Sequence, residues 1–155
     1  MISVFPDLNS RLTGCRGVLV DSNIILDVAT QDPVWGEWSA RVLSELAERS
    51  ILMINPVIYA EVSVGYPTIE ELDTAVPAAI YRREALPWEA GFLAGQCFVQ
   101  YRRRGGQRRS PLPDFYIGAH AAVERLGLLT RDAARYLTYF PRITLFSPET
   151  TSSSN

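Results

Sequence analysis

Carboxylates are the side chains best placed to do chemistry in this chain. Asp21 directly follows the apolar run Gly17-Val18-Leu19-Val20, and Asp132 stands just past a second run, Leu126-Gly127-Leu128-Leu129-Thr130. A buried strand that stops at a polar residue delivers that residue to the carboxyl edge of its sheet. Glu61 shares a helical face with Val57 and Val64, and a glutamate among valines is costly unless something pairs with it. Asp114 follows Pro113 at a helix start, and its face continues through Ile117, Gly118, Ala121 and Ala122, small enough for close packing on a sheet. Each acid alone has a bland explanation, a turn residue or a helix cap. Together they converge on one edge and repel, and a bound divalent cation is the economical remedy. Oxygen donors favour Mg²⁺ or Mn²⁺. Such a site lowers the pKa of a bound water, holds a phosphodiester in line and neutralises the leaving oxygen. The chemistry this implies is phosphodiester hydrolysis without a covalent intermediate.

Composition removes most competitors. The 155 residues carry a formal net charge of −2, and all 15 basic residues are arginine. Without lysine there is no P-loop, Schiff-base or receiver-domain lysine. Cys15, Cys97 and His120 are too scattered for a zinc site. Two cysteines make no disulfide framework, no apolar run is long enough to span a membrane, and the N-terminus lacks a signal-peptide pattern. A cytoplasmic protein is expected.

The elements that must hold the acids are legible as alternation. Apolar runs at 17–20, 51–54, 126–130 and 143–146 read as strands. Helical spacing appears from Trp35 to Arg49, Val57 to Val64, Pro87 to Arg103, Asp114 to Arg125 and Asp132 to Phe140, with a capped short helix opening at Thr68. Glu37 before Arg41 and Glu45 before Arg49 suit exposed i,i+4 pairs. Strands apolar on both faces without hairpin turns argue a three-layer α/β/α sandwich around a parallel sheet, with its ligand crevice beyond the strands' carboxyl ends. The chain divides into an N-terminal extension over 1–16, one domain over 17–148 and a polar tail over 149–155. The extension suits an added strand, a dimer contact or a loose end.

Four segments resemble the motifs of PIN domains. They are Val20-Asp21-Ser22-Asn23 with Ile24-Ile25-Leu26-Asp27, Asn55-Pro56-Val57-Ile58-Tyr59-Ala60-Glu61-Val62, Pro113-Asp114-Phe115-Tyr116-Ile117-Gly118-Ala119-His120-Ala121, and Leu128-Leu129-Thr130-Arg131-Asp132. Their order and spacing are most similar to VapC-type toxins of bacterial toxin–antitoxin pairs. The resemblance implies a Mg²⁺- or Mn²⁺-dependent ribonuclease. Its acidic site would comprise Asp21, Glu61, Asp114 and Asp132, with Asp21 and Asp114 as the direct ligands and Asn23 and Thr130 in support. It further implies a homodimer and a cognate antitoxin that inserts a segment near the acids.

His120 reads as a partly buried histidine with a satisfied hydrogen bond, not as a catalytic group. Five arginines fall between Arg102 and Arg109. Arg108 and Arg109, nearest Asp114 in sequence, are candidates to hold RNA phosphates; the competing reading is a solvated helix end. A non-catalytic PIN-like module binding RNA or protein is the alternative function. The intact acids weigh against it, since a dead site has no use for costly charges.

Overall fold

The structure, a computed structural model, describes residues 3–150. Five parallel strands form one sheet in the order β3-β2-β1-β4-β5. They are β1 (Val18–Val20), β2 (Leu52–Ile54), β3 (Arg82–Arg83), β4 (Gly127–Leu129) and β5 (Leu145–Phe146). Every residue of β1, β2 and β4 is buried. That is why these strands read as unbroken apolar runs: helices cover both faces. Chain order runs outward from β1 to β2 on one side and to β4 on the other, so the topological switch point lies between β1 and β4. Register there is set by Val18 opposite Gly127 and Val20 opposite Leu129.

Among the described residues eight α-helices accompany the strands: α1 (Leu8–Leu12), α2 (Ser22–Ala29), α3 (Gly36–Arg49), α4 (Pro56–Ser63), α5 (Ile69–Ala75), α6 (Trp88–Arg103), α7 (Pro113–Glu124) and α8 (Ala134–Tyr139). α2 packs on α3 and α4, and α7 packs on α6 and α8. The expected α/β/α sandwich is the observed architecture. α4 starts as its sequence demands, with Pro56 in the first turn and the Asn55 side chain accepting from the Ile58 N–H. Gly118 lets α7 pack tightly against the end of α8: a Cβ there would lie 2.3 Å from the Phe140 ring.

Four local expectations are corrected. β3 is a strand that the sequence conceals, two exposed arginines paired to Met53 and Ile54. The helix expected from Asp132 starts only at Ala134, which leaves Asp132 in the turn before it. Glu45 does not pair with Arg49; it accepts from the Val4 N–H and Ser3 Oγ, while Arg49 donates to Asn9 Oδ1. Ala122 is exposed, so the small face of α7 ends at Ala121.

The Glu45 contacts explain the N-terminal extension. Residues 3–16 are not a strand. They carry α1, and Phe5 and Leu8 belong to the same buried core as β1 and β5. The Phe5 ring meets Phe146 edge-on at 5.4 Å. Of the tail expected over 149–155, Glu149 and Thr150 close a short 3-10 turn, Pro148–Thr150, and 151–155 lie outside the described residues.

Candidate active site

Asp21 is the first residue after β1, and its backbone N–H donates to Leu129 O on β4. It therefore sits at the switch point, where ligands of such sheets bind. It is buried and heavily solvated by protein. Oδ1 accepts from the Ser22 N–H at 2.8 Å, and Oδ2 accepts from Thr130 Oγ1 at 2.8 Å and Tyr136 Oη at 3.1 Å. Asp114, in the first turn of α7, faces it across the same hydroxyl: Tyr136 Oη is 3.3 Å from Asp114 Oδ1. Arg135 Nη1 lies 3.2 Å from Asp114 Oδ2. Glu61 reaches in from α4 and accepts from Ser22 Oγ at 3.3 Å.

The electrostatics follow from this convergence. Burial, then the Asp114 charge, pushes the Asp21 carboxyl above its ordinary value, although the Thr130, Ser22 and Tyr136 donors oppose the shift. Burial raises Asp114 as well, with Asp132 adding to it and Arg135 and Tyr136 resisting. Glu61 is pushed up to about 7, first by burial and then by the charges of Asp21 and Asp114. Three acids are thus each harder to ionise because of where the fold puts them.

Of the four acids expected, the structure brings these three together. Asp132 is exposed at the rim, near enough for its charge to act on Asp114. Glu61 arrives for a different reason than expected. Val64 is 89% exposed, and the buried residues of α4 are Ile58 and Val62. The supporting residues fall into place. Asn23 Nδ2 donates to Thr130 Oγ1 at 3.3 Å, and its Oδ1 accepts the Arg131 N–H at 3.2 Å. His120 is buried, and its Nδ1 stands 3.0 Å from Asn55 Nδ2; burial lowers its pKa, as suits a neutral ring. In the arginine cluster, Arg102 donates to Arg108 O and Arg104 lies over the Tyr139 ring. The arginine on the acids is Arg135.

Three residues of the site escaped the sequence reading. Tyr136 and Arg135 come from α8, and Tyr136 stands four residues beyond Asp132, a spacing that could have flagged it. Asp27 is the third. It is buried, accepts from Arg131 Nε and Nη2 at 2.9 Å each, and accepts from Ser39 Oγ at 2.9 Å. Asn23 and Asp27 are one turn apart on α2, so a single helical face grips both the backbone and the side chain of Arg131. That grip holds Thr130 on Asp21.

No cluster of three or more His, Cys, Asp or Glu side chains stands in metal-holding positions among the described residues. The donor set still fits a hard dication in kind. Asp21 and Asp114 present carboxylate oxygens to a single shared hydroxyl, and Mg²⁺ commonly takes one or two carboxylates and keeps its waters.

A five-stranded parallel sheet in the order β3-β2-β1-β4-β5, flanked by helices, is the plan of the PIN fold. Comparison with known proteins agrees at that level. No model of a known protein family and no curated protein matches the sequence. Solved structures do. A chain of VapBC2 from Rickettsia felis, bound to a promoter DNA fragment, superposes with a TM-score of 0.65 at 17% identity over 84% of this chain and 97% of that one. For FitAcB from Neisseria gonorrhoeae the TM-score is 0.62 at 18% identity, over 86% and 99% of the two chains. For a toxin–antitoxin complex from Klebsiella pneumoniae it is 0.62 at 19%, over 88% and 99%. The chain has the PIN-like fold found in VapBC-type complexes, as its four motifs led us to expect.

Proposed function

We propose that the chain is a divalent-metal-dependent endoribonuclease acting as the toxin of a toxin–antitoxin pair. The observation that carries this is the convergence of Asp21, Glu61 and Asp114 at the switch point, each carboxyl raised by burial and by its neighbours. Asp21 and Asp114 would hold Mg²⁺ or Mn²⁺, with Asp132 at the rim contributing charge. The bound cation supplies an activated water and neutralises the leaving oxygen. Thr130 and Tyr136 fix Asp21 Oδ2, so its geometry does not change as substrate arrives. Glu61, which accepts from Ser22 Oγ, would orient the attacking water and accept its proton. Arg108 and Arg109, both exposed, form a basic rim for RNA phosphates that the net charge alone would not supply.

Purified protein incubated with single-stranded RNA should cleave it with Mg²⁺ or Mn²⁺ and leave it intact in EDTA. Cleavage that persists in EDTA would refute the mechanism. The partners of this reading are an RNA substrate, a cognate antitoxin and a second copy of the chain. Among the described residues no helix is long and apolar enough to cross a membrane.

The face for the second copy is on α6. Trp88 is 93% exposed and Phe92 72%, and they share a helical face with Gly95 and Val99. The space above Gly95 is open. Antiparallel pairing of two α6 helices about a twofold axis near Gln96 lays Phe92 and Trp88 along the second half of the other copy's helix, opposite its Gln100 and Arg104, with the two Gly95 positions close to the axis. It also sets Glu89, near one end, opposite Arg103 of the other copy, twice. Glu89→Arg or Arg103→Glu should therefore raise the dimer dissociation constant about tenfold in sedimentation, and the double reversal should restore it. Equal weakening by the double variant would exclude this pairing.

A further inference from the structure

α8 opens with two consecutive side chains aimed at one carboxylate. Arg135 Nη1 is 3.2 Å from Asp114 Oδ2, and Tyr136 Oη is 3.3 Å from Asp114 Oδ1. They are held very differently. Tyr136 is 1% exposed and its hydroxyl also bonds Asp21, so it is part of the core. The Arg135 side chain is 40% exposed, and its guanidinium lies over the Phe115 ring at 5.9 Å with Asp114 as its carboxylate. Contrast Arg131, which the buried Asp27 holds by two hydrogen bonds. A solvated single-bond ion pair such as Arg135–Asp114 is weak and easily exchanged. Its Asp114 oxygen is also one that a divalent cation would claim.

The geometry points to Arg135 as a cation with two stations: Asp114 in the metal-free chain, and the RNA phosphate beside the site once a divalent cation holds Asp114. This rests on the nuclease reading of the acidic edge. The reasoning is charge balance. With Asp114 committed to a dication, Arg135 loses its anion and gains a like-charged neighbour. A phosphodiester arriving at that cation brings the missing anion, and a planar guanidinium matches two of its oxygens. The Phe115 ring offers the guanidinium a resting surface between stations. Tyr136 stays put and keeps Asp21 and Asp114 aligned throughout. Metal and RNA then bind with positive coupling, each favouring the other.

Two variants, Arg135→Ala and Arg135→Gln, test the idea with readouts other than cleavage. Calorimetric titration with Mn²⁺ should show binding about three- to fivefold tighter than wild type, because an exposed ionic competitor is gone. Anisotropy of a labelled single-stranded RNA should show no change from wild type in EDTA. In Ca²⁺, with gels confirming intact RNA, it should show binding weaker by about tenfold, the loss of one charged hydrogen-bonding group. Unchanged or weaker Mn²⁺ binding would overturn the proposal. So would an equal loss of RNA affinity in EDTA and Ca²⁺, the mark of a fixed phosphate contact. If the wild-type chain binds no Mn²⁺, the nuclease reading falls and takes this one with it. If wild type binds Mn²⁺ and the variants differ from it in none of these measurements, only the two-station arginine falls.

Discussion

Asp21→Asn should abolish RNA cleavage and yet make the metal-free chain more stable. Both effects come from one placement. Asp21 is buried at the switch point, facing Asp114, and its carboxyl is held above its ordinary value by burial and then by that neighbour. Removing a proposed metal ligand should lower cleavage by more than about 100-fold, the upper figure for losing a group that merely supports a ligand. In EDTA at neutral pH the amide relieves a buried charge without changing shape. The amide can be accommodated, because the Tyr136 hydroxyl can accept from it while donating to Asp114, and the Ser22 N–H keeps an oxygen to bond. Thermal unfolding in EDTA should thus show a higher midpoint for the variant, and added Mn²⁺ should raise the midpoint of wild type only. A lower midpoint in EDTA would mean that Asp21 stabilises the fold as an ion, contrary to the environment described.

The pH dependence has a definite sign. Asp21, Asp114 and Glu61 all have raised values in the folded chain, so folding takes up protons. Stability from the protonated forms is complete below the ordinary carboxyl range and is lost as pH rises through the raised values. For Glu61 that window runs from 4.5 to about 7. The stability gap between variant and wild type in EDTA should accordingly narrow on going from pH 7 to pH 5.

The second large effect is structural. Asp27→Ala should cost about 3 kcal/mol in urea denaturation, the low end for breaking a buried ion pair. The low end applies because the Arg131 side chain is 32% exposed and can recover some water. Asp27 itself is buried with three donors, two from Arg131 and one from Ser39. Its loss leaves the guanidinium against the Trp35 ring without its hydrogen-bonded carboxylate, with only the more distant charges of Asp32 and Asp132 acting on it. The damage travels to the site through Arg131, whose backbone N–H bonds Asn23, and through adjacent Thr130, whose hydroxyl bonds Asp21. A cost under about 1 kcal/mol would place this pair with ordinary surface ion pairs.

What could be read in advance divides along physical lines. Asp21 and Asp114 were legible because local rules place them: a strand ends at a polar residue, and proline opens a helix. His120 was legible as a histidine with a satisfied hydrogen bond, though the fold buries it fully and not in part. Glu61 was found through a face that the fold does not use, since Val64 points to solvent. It reaches the acids because α4 packs beside α2, a tertiary fact. Tyr136, Arg135 and the Asp27–Arg131 pair depend on where α8 and α2 meet the sheet. No local periodicity encodes contacts across 104 or 115 residues of chain. β3 lacks any apolar signal because only its backbone takes part, lengthening the sheet beside β2.

That short strand has a bearing on how the molecule can associate. An outermost strand offers unpaired backbone groups to any extended segment that comes by. Here that margin is two residues long and carries two guanidinium groups, Arg82 on Glu84 and Arg83 on Asp73. Like charges and brevity together discourage a further strand from adding there. On this side of the sheet the fold therefore resists the strand-by-strand growth that turns copies of a protein into fibres.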